Sequence, residues 1–182
     1  MTDEELWGQV RAGVSEAFGQ LFERHAQAVF AYCLRRTGTW AVAEDLVSVV
    51  FMETWRKRTS VTVEESLLPW LYTVALGVTR NHQRARKRYK TALDKVAPQP
   101  ADDDHADDVA RRVDAEARTR TVIAELERLP AGEREVLEMS AWSDLSQTQI
   151  AQVLGIPVGT VKSQFAPEPP CAMCAGLVEE AL

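Results

Sequence analysis

Apolar residues recur at three- and four-residue steps through the first half of the chain. Leu6, Val10, Val14, Phe18, Leu21 and Phe22 form one stripe, and Val29, Phe30, Cys33 and Leu34 extend it. That period marks helices with one buried face, so one or two short helices are predicted, then a continuation. Thr37-Gly38-Thr39 interrupts the pattern as a turn. A further helix is predicted over Ala41 to Arg58, with Leu46, Val50, Phe51 and Trp55 inward. Glu44 and Asp45 near its start, and Arg56, Lys57 and Arg58 at its end, suit the helix dipole. After a loop over Thr59 to Ser66, another helix is predicted from about Leu67 to Tyr89, carrying Trp70, Leu71, Val74, Ala75 and Val78.

The pattern then lapses. Ala97 to Asp108 reads APQPADDDHADD, with two prolines, five aspartates and no large apolar residue. Such a segment cannot offset the entropy of ordering, which predicts a flexible acidic tether. Val109, Val113, Val122, Ile123, Leu126 and Leu129 mark the next helix, and Pro130 and Gly132 the turn before a shorter one over Glu133 to Trp142. The fold class expected is all-α: two small helical bundles of residues 1–96 and 109–182, joined by the linker 97–108.

Residues Asp144 to Gln164 read DLSQTQIAQVLGIPVGTVKSQ. Ser146 is a plausible N-cap with Gln149 at the third helical position, a capping-box pattern. Ile150, Ala151, Val153 and Leu154 supply a packed face, and Gly155 stands where a left-handed residue closes the helix. Ile156 plugs the turn, and Pro157 or Val158 opens a second helix with Val161 inward. This is a helix-turn-helix, with Thr160, Lys162, Ser163 and Gln164 as the polar set that could enter a major groove. A three-helix unit that packs on another protein is the alternative.

Charge sharpens this picture. The net charge of -6 argues against a nucleic-acid partner until it is divided along the chain. Residues 1–96 hold 14 Lys/Arg against 11 Asp/Glu, while residues 97–182 hold 7 against 16. Arg80, Arg84, Arg86, Lys87, Arg88 and Lys90 fall within eleven residues that contain no acid. At 100° per residue Arg80, Arg84 and Arg88 share a face with Lys87, suited to phosphates. Asn81, His82 and Gln83 beside them are neutral hydrogen-bonders. A solvated helix end enriched in bases by the dipole is the plainer reading. Trp55, Trp70 and Tyr72 flank the Thr59 to Ser66 loop as a surface for an unstacked base, or are core residues.

Other chemistry is absent from the pattern. No nucleophile–base pair, glycine-rich phosphate loop or metal-spaced cluster supports an enzyme, a cofactor or a metal site. His25, His82 and His105 are isolated and read as ordinary. Cys33, Cys171 and Cys174 make no disulfide framework, and a reducing cytoplasm is expected. No signal peptide or membrane span is recognisable, so no membrane insertion is expected.

Taken together, these residues resemble the sigma-70 family, specifically a small extracytoplasmic-function (ECF) sigma factor, over nearly the whole chain. AEDLVSVVFMETWRKR, Ala43 to Arg58, is similar to the region 2 helix that docks on the coiled coil of the RNA polymerase beta-prime subunit. The resemblance implies core-polymerase contacts (beta and beta-prime subunits) in or beside Asp45, Glu53, Trp55 and Arg56. PWLYTVALGVTRNHQRARKR, Pro69 to Arg88, is similar to the helix that reads and melts the -10 promoter element. It implies DNA contacts at Arg80, Asn81, Arg84, Lys87 and Arg88, and capture of a flipped base by Thr59 to Ser66. LERLPAGEREVLEM and the helix-turn-helix resemble region 4, implying -35 contacts at Thr160, Lys162, Ser163 and Gln164. Also implied are promoter DNA as a partner, a linker that runs near the polymerase active site, and an anti-sigma factor that covers both modules. A helix-turn-helix regulator acting on duplex DNA without polymerase is the alternative function.

One stretch departs from the family. An arginine-rich helix of the form S-R-L-x-R-A-R usually follows GTVKS, but here Gln164 and Phe165 precede Pro167, Glu168, Pro169 and Pro170. Each helix-interior proline costs on the order of 3 kcal/mol, so the helix is expected to stop near Phe165 or Ala166. Cys171 and Cys174 have CxxC spacing but no second pair. Arginine codons of a GC-rich gene read out of frame yield alanine, proline and cysteine. A compensated frame slip over about Gln164 to Ala175 is therefore an alternative origin. A genuine patch would leave -35 binding weak.

Overall fold

The computed structural model describes residues 1–93, 123–124, 126 and 128–165, and among them every regular element is a helix. These are α1 (Asp3–Arg11), α2 (Ser15–Thr37), α3 (Trp40–Arg56), α4 (Leu68–Leu93), α5 (Ala131–Trp142), α6 (Gln147–Leu154) and α7 (Val158–Phe165). The tether over 97–108, the helix positions Val109, Val113 and Val122, and the patch with Pro167, Glu168, Pro169, Pro170, Cys171 and Cys174 lie outside the described residues.

Local chemistry accounts for the helix ends. Thr2 and Glu5 form a reciprocal capping box that starts α1, with Asp3, Glu4 and Glu5 favouring the positive end of its dipole. Gly13, at φ 93°, lets the chain turn between α1 and α2. Val14 is therefore the residue preceding α2, exposed rather than inside, and the predicted stripe is split there. Gly38, at φ 68°, closes α2 in the left-handed conformation.

Helices α1 to α4 wrap one apolar core. Leu6, Trp7, Val10, Leu21, Val29, Val50, Leu67 and Leu71 are almost wholly buried, and Tyr32 meets Tyr72 edge to face at 5.2 Å. Burial lifts the Cys33 thiol to about 12, which makes it a packing residue rather than a nucleophile. In the second unit Ser146 and Gln149 form the expected capping box, at 3.3 and 2.9 Å. Gly155 takes φ 68°, and Ile150, Ala151, Val153 and Val161 are buried against Val136 and Met139 of α5.

The two units are not separate bodies. Their apolar side chains form one continuous cluster, and α6 packs on α4. Arg36 at the end of α2 is only 4% exposed, and its guanidinium donates to Glu138 of α5, with Glu135 at 3.8 Å. Arg35 lies over the Trp142 ring at 5.4 Å, and Gln83 Nε2 donates to the Arg36 carbonyl at 3.0 Å. Periodicity predicts which face of a helix is buried but not its partner, so two bundles joined by a linker were expected without this contact between them.

Burial lifts the Glu138 carboxyl above its ordinary range, although Arg36 and Arg134 pull it down. A pair with that much desolvation is costly to break and adds little net stability. Glu138→Leu alone is expected to lower unfolding free energy by roughly 3 kcal/mol, and Arg36→Met with Glu138→Leu to restore most of it. Urea unfolding of the wild type and both variants measures this. Equal losses in the single and double variants would contradict the coupling.

Candidate nucleic-acid interface

The outer surface of α3 carries the residues predicted to dock on polymerase. Asp45 and Arg56 are exposed, while Glu53 is half-buried and accepts from Arg56 at 2.9 Å. Trp55 is half-buried against Phe18, with ring centroids 5.1 Å apart, and Arg58 lies 4.5 Å over its ring. Beside them opens an apolar groove of about 670 Å³, lined by Phe18, Phe22, Phe51, Met52 and Trp55. Met52 is 63% exposed and Phe22 42% exposed. Neither residue was singled out from the sequence as a contact. For Met52 the signal was nonetheless present: α3 is apolar on more than one face, and a helix buried on one side needs only one such stripe. Phe22 of α2 was expected in the buried stripe and is instead exposed.

Residues 57–67 connect α3 to α4. Val61 and Val63 turn inward, whereas Thr62, Glu64 and Glu65 are exposed. Trp7 Nε1 of α1 donates to the Val61 carbonyl at 3.0 Å. Asp3 Oδ2 accepts from the Leu67 amide at 2.8 Å and from Ser66 Oγ at 3.2 Å. The same carboxylate meets His25 at 2.7 Å and Arg24 at 2.5 Å. His25, read as ordinary from its spacing, thus belongs to a buried polar cluster. Lys57 reaches over the Trp70 ring at 5.8 Å, beside the loop.

Helix α4 holds the basic residues, and they do not all face the same way. Asn81, Arg84, Lys87 and Arg88 are exposed. Arg80 is half-buried and makes a two-pronged pair with Glu135 of α5, at 2.8 and 2.5 Å. The shared basic face is therefore interrupted at Arg80, because α5 supplies a carboxylate there. On α7, Lys162, Ser163 and Gln164 are exposed and Thr160 is half-buried, with Ser163 Oγ donating to the Thr160 carbonyl at 3.0 Å. Phe165 is the last helical residue described.

Comparison with known proteins bears on these surfaces. Residues 21–89 match the family model "Sigma-70 region 2" and residues 119–166 match "Sigma-70, region 4". The chain is 30% identical to the RNA polymerase sigma factor CarQ of Myxococcus xanthus, over 84% of each chain. It is 32% identical to the ECF RNA polymerase sigma factor SigL of Mycobacterium tuberculosis, over 80% of each. Among solved structures it is similar to CnrH in complex with the cytosolic domain of CnrY, with 25% identity, TM-score 0.67 and coverage of 98% and 97%.

The Asp3 cluster has a pH signature. Burial alone would raise its carboxyl, but the Leu67 amide, Arg24 and His25 outweigh this and hold it below its ordinary 3.8. A depressed carboxyl stabilises the fold fully above 3.8 and loses that contribution as pH falls through the lower folded-state value. Asp3→Asn is expected to flatten the acid limb of thermal stability against pH. An acid limb of unchanged steepness would contradict this role.

Proposed function

This chain belongs to the ECF sigma factors of the sigma-70 family, and from that premise we propose how its surfaces divide the work. It is a promoter-specificity subunit of RNA polymerase, not an enzyme. The two family models on one chain do not favour a regulator confined to duplex DNA. Residues 1–96 serve as region 2, 97–108 as the acidic linker and 109–182 as region 4.

The observation that carries the docking proposal is the open apolar groove beside α3. A large exposed apolar patch is unfavourable in water and marks a surface that a partner covers. Arg56 and Arg58 line it beside the apolar residues. Asp45 and Glu53 on the same helix, with Arg56, give register while Met52, Phe22 and Trp55 supply area. Its partner is core polymerase.

Arg84, Lys87 and Arg88 neutralise phosphates at the -10 element, with Asn81 as a neutral donor and acceptor beside them. Arg80 joins them only when a phosphate displaces Glu135. The 57–67 loop and the neighbouring Trp70 hold a base outside the stack; extrusion costs a few kcal/mol, which stacking and loop contacts must offset. Thr160, Lys162, Ser163 and Gln164 address the -35 element in the major groove. A second protein masking these surfaces, an anti-sigma factor, is the regulatory partner we propose; the solved CnrH structure is itself a complex with a second protein, the cytosolic domain of CnrY. Among the described residues no helix is long and apolar enough to cross a membrane, and the cytoplasm is the proposed site of action.

Fully burying a methionine side chain contributes about 1.5–3 kcal/mol, so Met52→Glu is expected to weaken core-polymerase binding about tenfold or more. Its thermal stability should stay at the wild-type value, because Met52 is exposed. Fluorescence anisotropy with labelled protein and purified core polymerase reads the affinity, and wild-type affinity would refute the docking surface. Arg84→Ala and Lys87→Ala should each reduce the slope of holoenzyme–promoter affinity against salt by about one. Unchanged slopes would remove those residues from the phosphate contacts.

A further inference from the structure

We propose that helix α1 is a positioning device for base capture, in which Trp7 and Asp3 hold the 57–67 loop in the shape that discriminates the extruded base. This rests on the reading of that loop as the base-capturing segment. Neither residue can touch DNA in this fold: Trp7 is 2% and Asp3 5% exposed. Both instead bond to the loop itself, at two points that bracket the exposed Thr62, Glu64 and Glu65. Trp7 Nε1 fixes the Val61 carbonyl at 3.0 Å. Asp3 Oδ2 fixes the Leu67 amide at 2.8 Å and Ser66 Oγ at 3.2 Å, and Ser66 Oγ in turn accepts from the Leu68 amide at 3.2 Å.

Between these anchors lie Thr62, Glu64 and Glu65, the side chains free to meet a base, with Val63 turned into the core. An unanchored connection would sample many shapes and would have to be ordered at the moment of binding, whichever base arrived. Anchoring it in advance leaves binding differences to be decided by the fit between base and loop. The Asp3 carboxylate is itself held by Arg24 and His25 of α2 at 2.5 and 2.7 Å, so the anchor is tied to the core rather than to the loop alone. α1 starts on its own capping box at Thr2 and Glu5, which places Asp3 in the first turn. The sequence pattern explains Leu6 and Val10 as core residues, but core packing alone needs neither an indole N–H nor a buried carboxylate.

The test is run-off transcription by core polymerase and the full chain on a template pool randomised across the -10 and -35 elements, with product sequencing to read base preference at each position. Four proteins are compared: wild type, Trp7→Phe, Asp3→Asn, and a loop variant carrying Thr62→Gly, Glu64→Gly and Glu65→Gly. Trp7→Phe keeps an aromatic ring in the core while losing the N–H, and Asp3→Asn keeps the size of the side chain. Thermal melting checks that each is folded at the assay temperature, and Ser66→Ala replaces either variant that is not. All variants are expected to flatten preference at the same single -10 position, by roughly fivefold or more, with -35 preference and core affinity retained. A loop variant that flattens that position while Trp7→Phe and Asp3→Asn leave it intact would overturn the inference and keep the base-capture reading. Unchanged preference in the loop variant would overturn that reading and the inference with it. Uniform loss at every position would reduce α1 to a stability element and likewise overturn the proposal.

Discussion

Burying the Arg36 guanidinium obliges the rest of the molecule to supply a carboxylate, and α5 supplies two. A buried cation without a partner is costly enough that the arrangement of the two units is tied to this meeting. Arg36 donates to Glu138, Glu135 sits between Arg36 and Arg80, and Gln83 reaches back to the Arg36 carbonyl. Through these links α2, α4 and α5 share one polar node beneath a continuous apolar cluster. The helix-turn-helix of α6 and α7 is thereby held against the helix that carries the basic residues. One consequence is electrostatic: Arg80 faces a carboxylate, while Arg84, Lys87 and Arg88 face solvent.

A division between exposed and buried side chains runs through region 2. The residues proposed to meet partners are carried on surfaces the core does not need: Met52 and Asp45 on α3, Arg84 and Lys87 on α4, and Thr62 and Glu64 in the loop are all exposed. The side chains that bond to the loop from α1 are sequestered, with Asp3 and Trp7 both buried. Such an arrangement lets contact residues vary without destabilising the fold, and concentrates the structural constraint in a few polar bonds from side chain to backbone.

Much of the fold was legible because its signals are local. Ser146 with Gln149, Gly155 and Val161 have short-range roles, and the helix-turn-helix follows from them residue by residue. The helices α3 and α4 lie within a few residues of the predicted spans for the same reason. What escaped was non-local. Nothing near Arg36 announces that its partner stands 102 positions away, and Arg80 looked like its neighbours because the sequence does not display Glu135 opposite it. His25 was read as ordinary and Trp7 was not singled out, since their bonds to Asp3 and Val61 cross between elements. Met52 was hidden differently: an apolar residue among apolar neighbours is assigned inward unless the helix face is traced through every position.

The family assignment and the proposed surfaces converge on one behaviour, which is that core polymerase alone cannot find the start sites this chain specifies. The direct measurement is transcript 5′-end mapping on sheared genomic DNA from the source cell, with purified core polymerase alone and with the chain added. Addition of the chain should create a discrete set of start sites sharing two upstream elements at a fixed spacing. The same scattered background initiation with and without it would contradict its role as a promoter-specificity subunit.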